Sequence, residues 1–425
     1  MSHHAAMTID EDAVSQAPAL QVLQALGYVY LTPAEALERR GGRRGTVILD
    51  AVLEKQLRKI NRITTKGEEH AFSEANLQSA VQALKSEPYD GLIRTNEKLY
   101  DLLCLGKAMQ QSIYGDSKSF TLNYIDWEHP ENNAFHVTEE FAVERSGSHE
   151  ARRPDLVLFV NGIPFAIIEC KSPTVKDAIE QAISQHLRNQ RDDEVPHLFL
   201  YAQVLLALSK NEARYATVGT AARFWSAWKE DVDEAELQSM VDRSLPVGVP
   251  RSRGSLPDAS ARMAPPARDA GAEAAAGLPP EGGTLTEVPA EHATSTRLPT
   301  PQDRALVALC RPGRLLELSR RFILFEAGEK KIARYQQYFC VRTIMARIRQ
   351  RDEAGRRQGG VVWHTQGSGK SLTMVFLAKA LALAPDLADH KIVIVTDRID
   401  LDDQIHKTFM QTGHEPVQAR SATTD

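Results

Sequence analysis

The chain has 425 residues, of which 42% are hydrophobic and 25% charged, with a formal net charge of -5 at pH 7. That length exceeds one ordinary core and fits two or three domains, while the balance of apolar and charged residues excludes disorder throughout. The acidic total excludes a uniformly basic surface but not a local phosphate-binding patch, and the four scattered cysteines, Cys104, Cys170, Cys310 and Cys340, sit at neither zinc-ligand nor disulfide-framework spacing.

In chain order, residues 21–28 predict a short helix ended by Gly27, and Ile48, Leu49, Val52, Leu53, Leu57 and Ile60 recur at three and four as on a helix face. A third amphipathic stretch covers 77–84. After Lys118 the pattern changes: residues 120–125 and 135–137 alternate in the strand manner, and the apolar runs 156–160 and 165–168 bracket Asn161-Gly162, a hairpin signal. Helix returns over 176–190, with Thr174 as the expected cap, and 198–209 reads as a buried strand. The last of these is the most apolar stretch, too short to span a bilayer, and residues 1–12 lack the basic flank and apolar run of a secretory signal. No membrane role follows, and a reducing cytoplasm fits the cysteine usage.

Residues 245–300 are rich in Pro, Ala, Gly and Glu without apolar periodicity, the composition of a flexible linker. They divide the chain into 1–244 and 301–425. Beyond them 306–325 and 332–348 read as helices, 360–363 as a strand, 371–383 as a helix and 392–395 as a strand, a βαβ order that implies a parallel sheet.

Two pieces of phosphate chemistry stand on this frame. The first is Asp155 with Glu169 and Lys171: a divalent metal that activates water against a phosphodiester needs converging oxygen ligands and a nearby cation. Glu169 and Lys171, two apart on a strand, share a face. The side taken by Asp155 depends on the turn. A two-residue turn at Asn161-Gly162 pairs Val160 with Ile163 and leaves Asp155 opposite Ile168, on the wrong face; a three-residue turn including Ile163, or a bulge, puts it opposite Glu169. An ordinary polar-ended hairpin is the competing reading, weakened by apolar residues on both faces of the two strands. Glu139 and Glu140 are a possible further ligand source, with a solvated acidic pair as the default, and His136, His149 and His186 read as structural.

The second is His364-Thr365-Gln366-Gly367-Ser368-Gly369-Lys370-Ser371, between an apolar run and a helical pattern. Here Gly367 and Gly369 let backbone N–H groups wrap a β-phosphate, Lys370 would reach β- and γ-phosphates, and the Ser371 hydroxyl would ligate magnesium. His364 occupies the place of the usual first glycine, as in helicase-type loops. Upstream, the amide of a glutamine in Arg334-Tyr335-Gln336-Gln337-Tyr338 could read an adenine edge, though a polar helix face looks the same. Thr396-Asp397-Arg398 could touch a nucleic-acid backbone, and the basic run Lys330, Lys331, Arg334, Arg342, Arg347, Arg349 and Arg351 defaults to solvated helix charge.

Together Pro154-Asp155 with Glu169-Cys170-Lys171, the stretch from Lys331 to Tyr338, the loop from Trp363 to Ser371, and Val395-Thr396-Asp397-Arg398 resemble the restriction subunit of type I restriction-modification enzymes. The resemblance implies an α/β architecture: a PD-(D/E)xK nuclease-like domain, then the first RecA-like lobe of a superfamily 2 translocase. It implies Asp155, Glu169 and Lys171 as nuclease residues, with Asp155, Glu169 and Ser371 at Mg2+. ATP would lie on Gly367, Ser368, Gly369, Lys370 and Ser371, with Gln337 reading its adenine. Double-stranded DNA and the methylation and specificity subunits are the implied partners. Three features depart from the family pattern. Gln185 is followed by Asn189 where a tyrosine is usual, the 245–300 segment is long, and no Asp-Glu box or second motor lobe precedes Asp425. The chain alone is therefore expected to bind nucleotide weakly and not to translocate. A non-catalytic module that binds partner subunits or DNA, and another nuclease-helicase of DNA repair, are the alternative readings.

Overall fold

The structure is a computed structural model that describes residues 15–244, 297–387, 391–396 and 399–412. Most of the expected linker, residues 245–296, and the Asp397-Arg398 pair lie outside the described residues.

The organising element is a six-stranded mixed sheet. In chain order the helix α1 (Ala17–Ala25) leads to strand β1 (Val29–Leu31), followed by α2 (Pro33–Arg39), α3 (Asp50–Ile60), α4 (Glu74–Lys85) and α5 (Leu92–Leu105). Then come β2 (Phe135–Glu139), β3 (Leu156–Val160), β4 (Ile163–Lys171), α6 (Ala178–Asn189), β5 (Val204–Ser209) and β6 (Glu212–Ala216), and the sheet runs in that strand order. Strands β1 and β2 pair in parallel, as do β4 and β5; the other neighbours are antiparallel. Every residue of β3 and β5, and all of β4 but Lys171, is buried, which explains why these strands read as continuous apolar runs. Helix α6 covers β4 and β5, with Ile179, Ala182 and Ile183 on its inner face.

The β3–β4 hairpin has the two-residue turn, Asn161 at φ 52 and Gly162 at φ 83, and Val160 pairs with Ile163. Between Pro164 and Ala166 the register then shifts by one residue, so Ala166 opposes Leu158 and Ile168 opposes Leu156. Phe165 is the extra residue of a β-bulge. Continued one step, the ladder sets Asp155 opposite Glu169, the alternative on which the nuclease reading depended.

Several expectations are corrected. The run 198–209 forms a strand only from Val204, preceded by the short helix Pro196–Phe199, whose proline at the first helical positions starts a turn rather than a ladder. Thr174 does not cap α6; its hydroxyl and N–H bond Ser172 Oγ at 2.8 and 3.4 Å, and Asp177 at φ 53 starts the helix. The span 306–325 is two helices, α7 (Pro301–Cys310) and α8 (Pro312–Arg321), broken where Pro312 denies a backbone donor, then a hairpin of β7 (Ile323–Glu326) and β8 (Glu329–Ile332). Helix α9 (Tyr335–Arg349) and helix α10 (Lys370–Ala382) follow, with α11 (Ile399–Gln411) last. The runs 360–363 and 391–396 form neither helix nor strand, and Val361, Trp363, Val393 and Val395 are exposed. Strands exist through a neighbour's hydrogen bonds, and among the described residues these two runs have no such neighbour. The expected parallel sheet of the second half is therefore not formed among the described residues.

Residues 297–387 pack directly on the sheet region. Tyr28 Oη donates to Cys310 O at 2.8 Å, Tyr215 Oη to Ala333 O at 2.9 Å, and Ser15 Oγ to Gln302 Oε1 at 2.6 Å. The cysteines are all free, and no helix among the described residues is long and apolar enough to cross a membrane.

Asn161 holds the hairpin from inside: its Nδ2 donates to Tyr124 O at 2.9 Å and Asn133 Oδ1 at 2.8 Å, and its Oδ1 accepts from Ala134 N at 2.8 Å. Asn161→Ala would leave buried partners unmatched and put a β-carbon residue in left-handed backbone without that compensation. The expected cost is about 2–4 kcal/mol of unfolding free energy, read from urea denaturation with an unchanged m-value.

Candidate active site

The bulge brings two carboxylates and an ammonium to one end of the sheet. Asp155 follows Pro154 at the entry of β3, and its Oδ2 accepts the Cys170 N–H at 2.6 Å, fixing it across the open end of β4. Lys171 Nζ lies 3.9 Å from the same Oδ2 and donates to Cys170 O at 3.1 Å. Glu169 is fully buried. Burial first, then the neighbouring Asp155 carboxylate, holds its acid well above the ordinary range, with Lys171 opposing.

Helix α6 supplies the rest of the pocket. Gln185 Nε2 donates to Glu169 Oε2 at 2.5 Å, and Asn189 Nδ2 to Glu169 Oε1 at 3.4 Å. Residues four apart stack on one helix face, so a single helix grips both carboxylate oxygens. Neither residue belonged to the expected site. Yet the Gln185–Asn189 spacing was the signal, and the asparagine at the second place still reaches Glu169.

Glu139 accepts from Tyr30 Oη at 2.6 Å and from Gln16 Nε2 at 3.5 Å, and the Glu140 N–H donates to Asp155 O at 3.1 Å. No group of three or more His, Cys, Asp or Glu arranged for a metal occurs among the described residues. Two carboxylates in contact, one of them buried, still form a donor set that a hard divalent cation fits, because the cation removes their mutual repulsion and magnesium keeps waters in its other positions. His186, pushed down to about 4 by burial, hydrogen-bonds Leu206 O at 2.8 Å, and His136 is likewise pushed to about 4; both are structural.

The glycine loop forms a second site. Gly367 at φ 77 and Gly369 at φ 79 turn the chain into α10, whose first residue is Lys370. Only glycine takes such backbone without strain, and the turn opens a 13-residue helix whose N-cap offers no side-chain hydrogen bond to the first amides. Lys370 Nζ rests on His364 O at 3.3 Å and Thr365 O at 3.1 Å, and Ser368 Oγ is buried without a partner. Both are groups a phosphate oxygen would engage. Ser371 is half-buried in the first turn. Gln337 braces α9 against this loop: its Nε2 donates to Gly369 O at 3.2 Å and its Oε1 accepts from Arg334 N at 2.9 Å. A recess of about 330 Å³ opens beside Gln337 and Gly367 to Gly369. Most of the basic run is engaged: Arg349 pairs with Asp386 at 2.7 Å, Lys331 with Glu326 and Glu329, Arg342 donates to Tyr338 Oη at 3.0 Å, Arg347 to Gly359 O at 3.1 Å, and Lys330 is buried.

The α/β core thus carries paired carboxylates and a lysine at a sheet end and, farther along the chain, a helix-opening glycine loop, and sequence similarity supplies the class. The profile of the type I restriction enzyme R protein N terminus matches residues 8–224, half of the chain, and that of the SWI2/SNF2 ATPase matches 336–424. The chain belongs to the type I restriction enzyme R protein family. It is 29% identical over 404 residues to the type I restriction enzyme HindI endonuclease subunit of Haemophilus influenzae, covering 92% of this chain and 32% of that one. A putative type I restriction enzyme endonuclease subunit, MjaIXP, of Methanocaldococcus jannaschii is 28% identical over 435 residues, covering 98% of this chain and 36% of that one. The chain thus spans about a third of the length of these relatives.

The raised acid of Glu169 has a sign. Its folded form keeps the proton at pH values where the unfolded chain has lost it, so without a divalent cation this group lowers stability as pH rises above its ordinary value. Glu169→Gln should therefore gain stability over the wild type progressively between pH 5 and pH 8, in metal-free urea titrations at each pH. A difference that is flat across that range would contradict the buried, proton-holding state.

Proposed function

We propose that this chain is the nuclease-bearing part of a type I restriction R subunit, cutting double-stranded DNA with Mg2+ and binding ATP at the glycine loop. The observation that carries the reading is the bulge at Phe165, which sets Asp155 opposite Glu169 with Lys171 beside them. A bulge that re-aims one side chain next to another is a device found beside active sites.

In this reading Asp155 and Glu169 hold the metal, with Gln185 and Asn189 fixing Glu169. The metal would supply charge neutralisation and a water of lowered pKa. Lys171, held within 3.9 Å of Asp155 Oδ2, orients the attacking water and balances charge growing on the phosphate. At the loop, the N-terminal amides of α10 and Lys370 take the phosphates, Ser371 faces the magnesium, and the recess at Gln337 takes the base. The unpaired runs 360–363 and 391–396 favour nucleotide binding without turnover by this chain alone, so translocation belongs to the assembly with methylation and specificity subunits. Those same exposed apolar runs are what favours the second reading, a module that docks on partners and cuts nothing.

Supercoiled plasmid should be nicked in Mg2+ and left intact in EDTA, with Lys171→Ala slowing cleavage at least about a hundredfold. Equal cleavage by that variant sinks the nuclease reading, and no cleavage by the wild type with retained subunit binding supports the docking module. Lys370→Ala should weaken binding of a fluorescent ATP analogue at least about tenfold, the loss expected for a charge-assisted phosphate contact. Unchanged affinity would remove the loop from nucleotide binding.

A further inference from the structure

We propose that the loop of residues 39–45 is a phosphate clamp that holds the backbone of double-stranded DNA beside the carboxylate site. The proposal rests on the nuclease function proposed for that site and adds the surface that would bring the substrate to it.

Seven consecutive residues, Arg39-Arg40-Gly41-Gly42-Arg43-Arg44-Gly45, contain four arginines and three glycines. They divide into an anchor and a display. Arg40 is buried: its Nη1 donates to Thr46 O at 3.0 Å, its Nη2 to Ala142 O at 2.6 Å, and its guanidinium lies 4.2 Å over the Phe141 ring. The single Thr46 hydroxyl proton is shared between Arg40 O at 3.0 Å and Arg43 O at 3.1 Å, and Gly41 and Gly42, at φ 76 and 71, donate to Glu38 O and Leu37 O at 2.9 Å. The loop is held in one shape from within, while Arg43 and Arg44 stand exposed on it.

Its place in the fold gives the display a purpose. Ala142, the acceptor of Arg40, is two residues past Glu140, whose N–H bonds Asp155 O at 3.1 Å, and Arg44 O accepts the Glu144 N–H at 3.2 Å. Exposed Arg153 lies two residues before Asp155. The loop is therefore tied to the segment that enters β3, at the sheet end carrying Asp155, Glu169 and Lys171. Among nearby acids, Glu194 is taken up by Arg152 at 2.6 Å and Arg145 at 3.2 Å, and Glu150 by Arg145 at 2.7 Å, while the Glu144 carboxylate stands against Gly45. Guanidinium forks match phosphate oxygens bidentately, and a preformed loop loses little freedom when it engages them. The glycines keep bulk away from the approaching backbone. A helical duplex, whose phosphates recur at short intervals, fits two adjacent exposed arginines better than an isolated anion does.

The test compares the full chain with its Arg43→Ala/Arg44→Ala and Arg43→Lys/Arg44→Lys forms, using anisotropy of a labelled 25-base-pair duplex in EDTA over a salt series, in parallel with plasmid cleavage in Mg2+. The alanine form should bind about tenfold more weakly at low salt, and its slope of log affinity against log salt should fall by about 1.8, about 0.9 for each phosphate no longer neutralised. The lysine form should keep most of the slope. Unchanged affinity and slope in the alanine form overturns the clamp, as does a wild type that binds no duplex, or loss of binding to the methylation subunit with DNA binding intact. Failure of the two readings is separable. Wild-type cleavage abolished by Lys171→Ala, with unaltered DNA affinity in the arginine variant, sinks the clamp alone; reduced affinity in that variant with no wild-type cleavage sinks the nuclease alone.

Discussion

Two carboxylates forced together at one end of a buried sheet are the constraint from which the rest of this structure takes its shape. Asp155 and Glu169 come from adjacent antiparallel strands, and a plain two-residue hairpin would have sent them to opposite faces. One inserted residue, Phe165, reverses that parity. The insertion costs a regular ladder bond in the most buried hairpin of the chain. Natural folds keep such an irregularity where side-chain direction matters more than strand regularity.

Burial of Glu169 then dictates its neighbours. A carboxylate removed from water needs a proton, a cation or hydrogen-bond donors, and here it has donors on both oxygens from α6 and a cation near its partner. That demand explains why the polar residues Gln185 and Asn189 point inward from a helix whose other inward residues are Ile179, Ala182 and Ile183. It also explains why Asp155 is clamped by the Cys170 N–H. An acid free to rotate would turn to solvent, and the pair would lose its charge density.

Much of this was legible in the sequence because it rests on local rules. Asn161-Gly162 demands a turn, and the alternation of Glu169 and Lys171 assigns them to one face. Glycines at 367 and 369 before a helical pattern define the loop. The bulge was legible only as a requirement, since no residue near Phe165 announces an extra position; tertiary packing of a phenylalanine into the core decides it. Gln185 was visible as half of a family pattern, but its contact is a property of how α6 lies on β4. The runs 360–363 and 391–396 failed for the opposite reason. Their apolar, β-branched composition is correct for buried strands, but composition supplies neither a pairing partner nor a covering layer.

The glycine loop and the carboxylate site share one packed body rather than meeting at a loose hinge. Lys379, on the helix that the loop opens, donates to Tyr100 Oη at 2.7 Å and to Ile323 O at 2.7 Å, while Lys330 donates to Ala202 O at 3.1 Å and Gln203 Oε1 at 2.7 Å. Both amines lie against the Tyr100 ring, at 4.9 and 5.5 Å, and burial lowers the affinity of each for its proton. Ala202 O also accepts Asn96 Nδ2 at 3.3 Å, and two residues later β5 begins, pairing with β4 so that Ala207 lies beside Glu169. Buried polar contacts of this kind are costly to leave unmade, so a shift of α10 must either carry α5 and the start of β5 with it or break them. The phosphate loop and Glu169, 198 or more positions apart in sequence (367 minus 169), are thus joined by a short run of hydrogen bonds and one β-ladder.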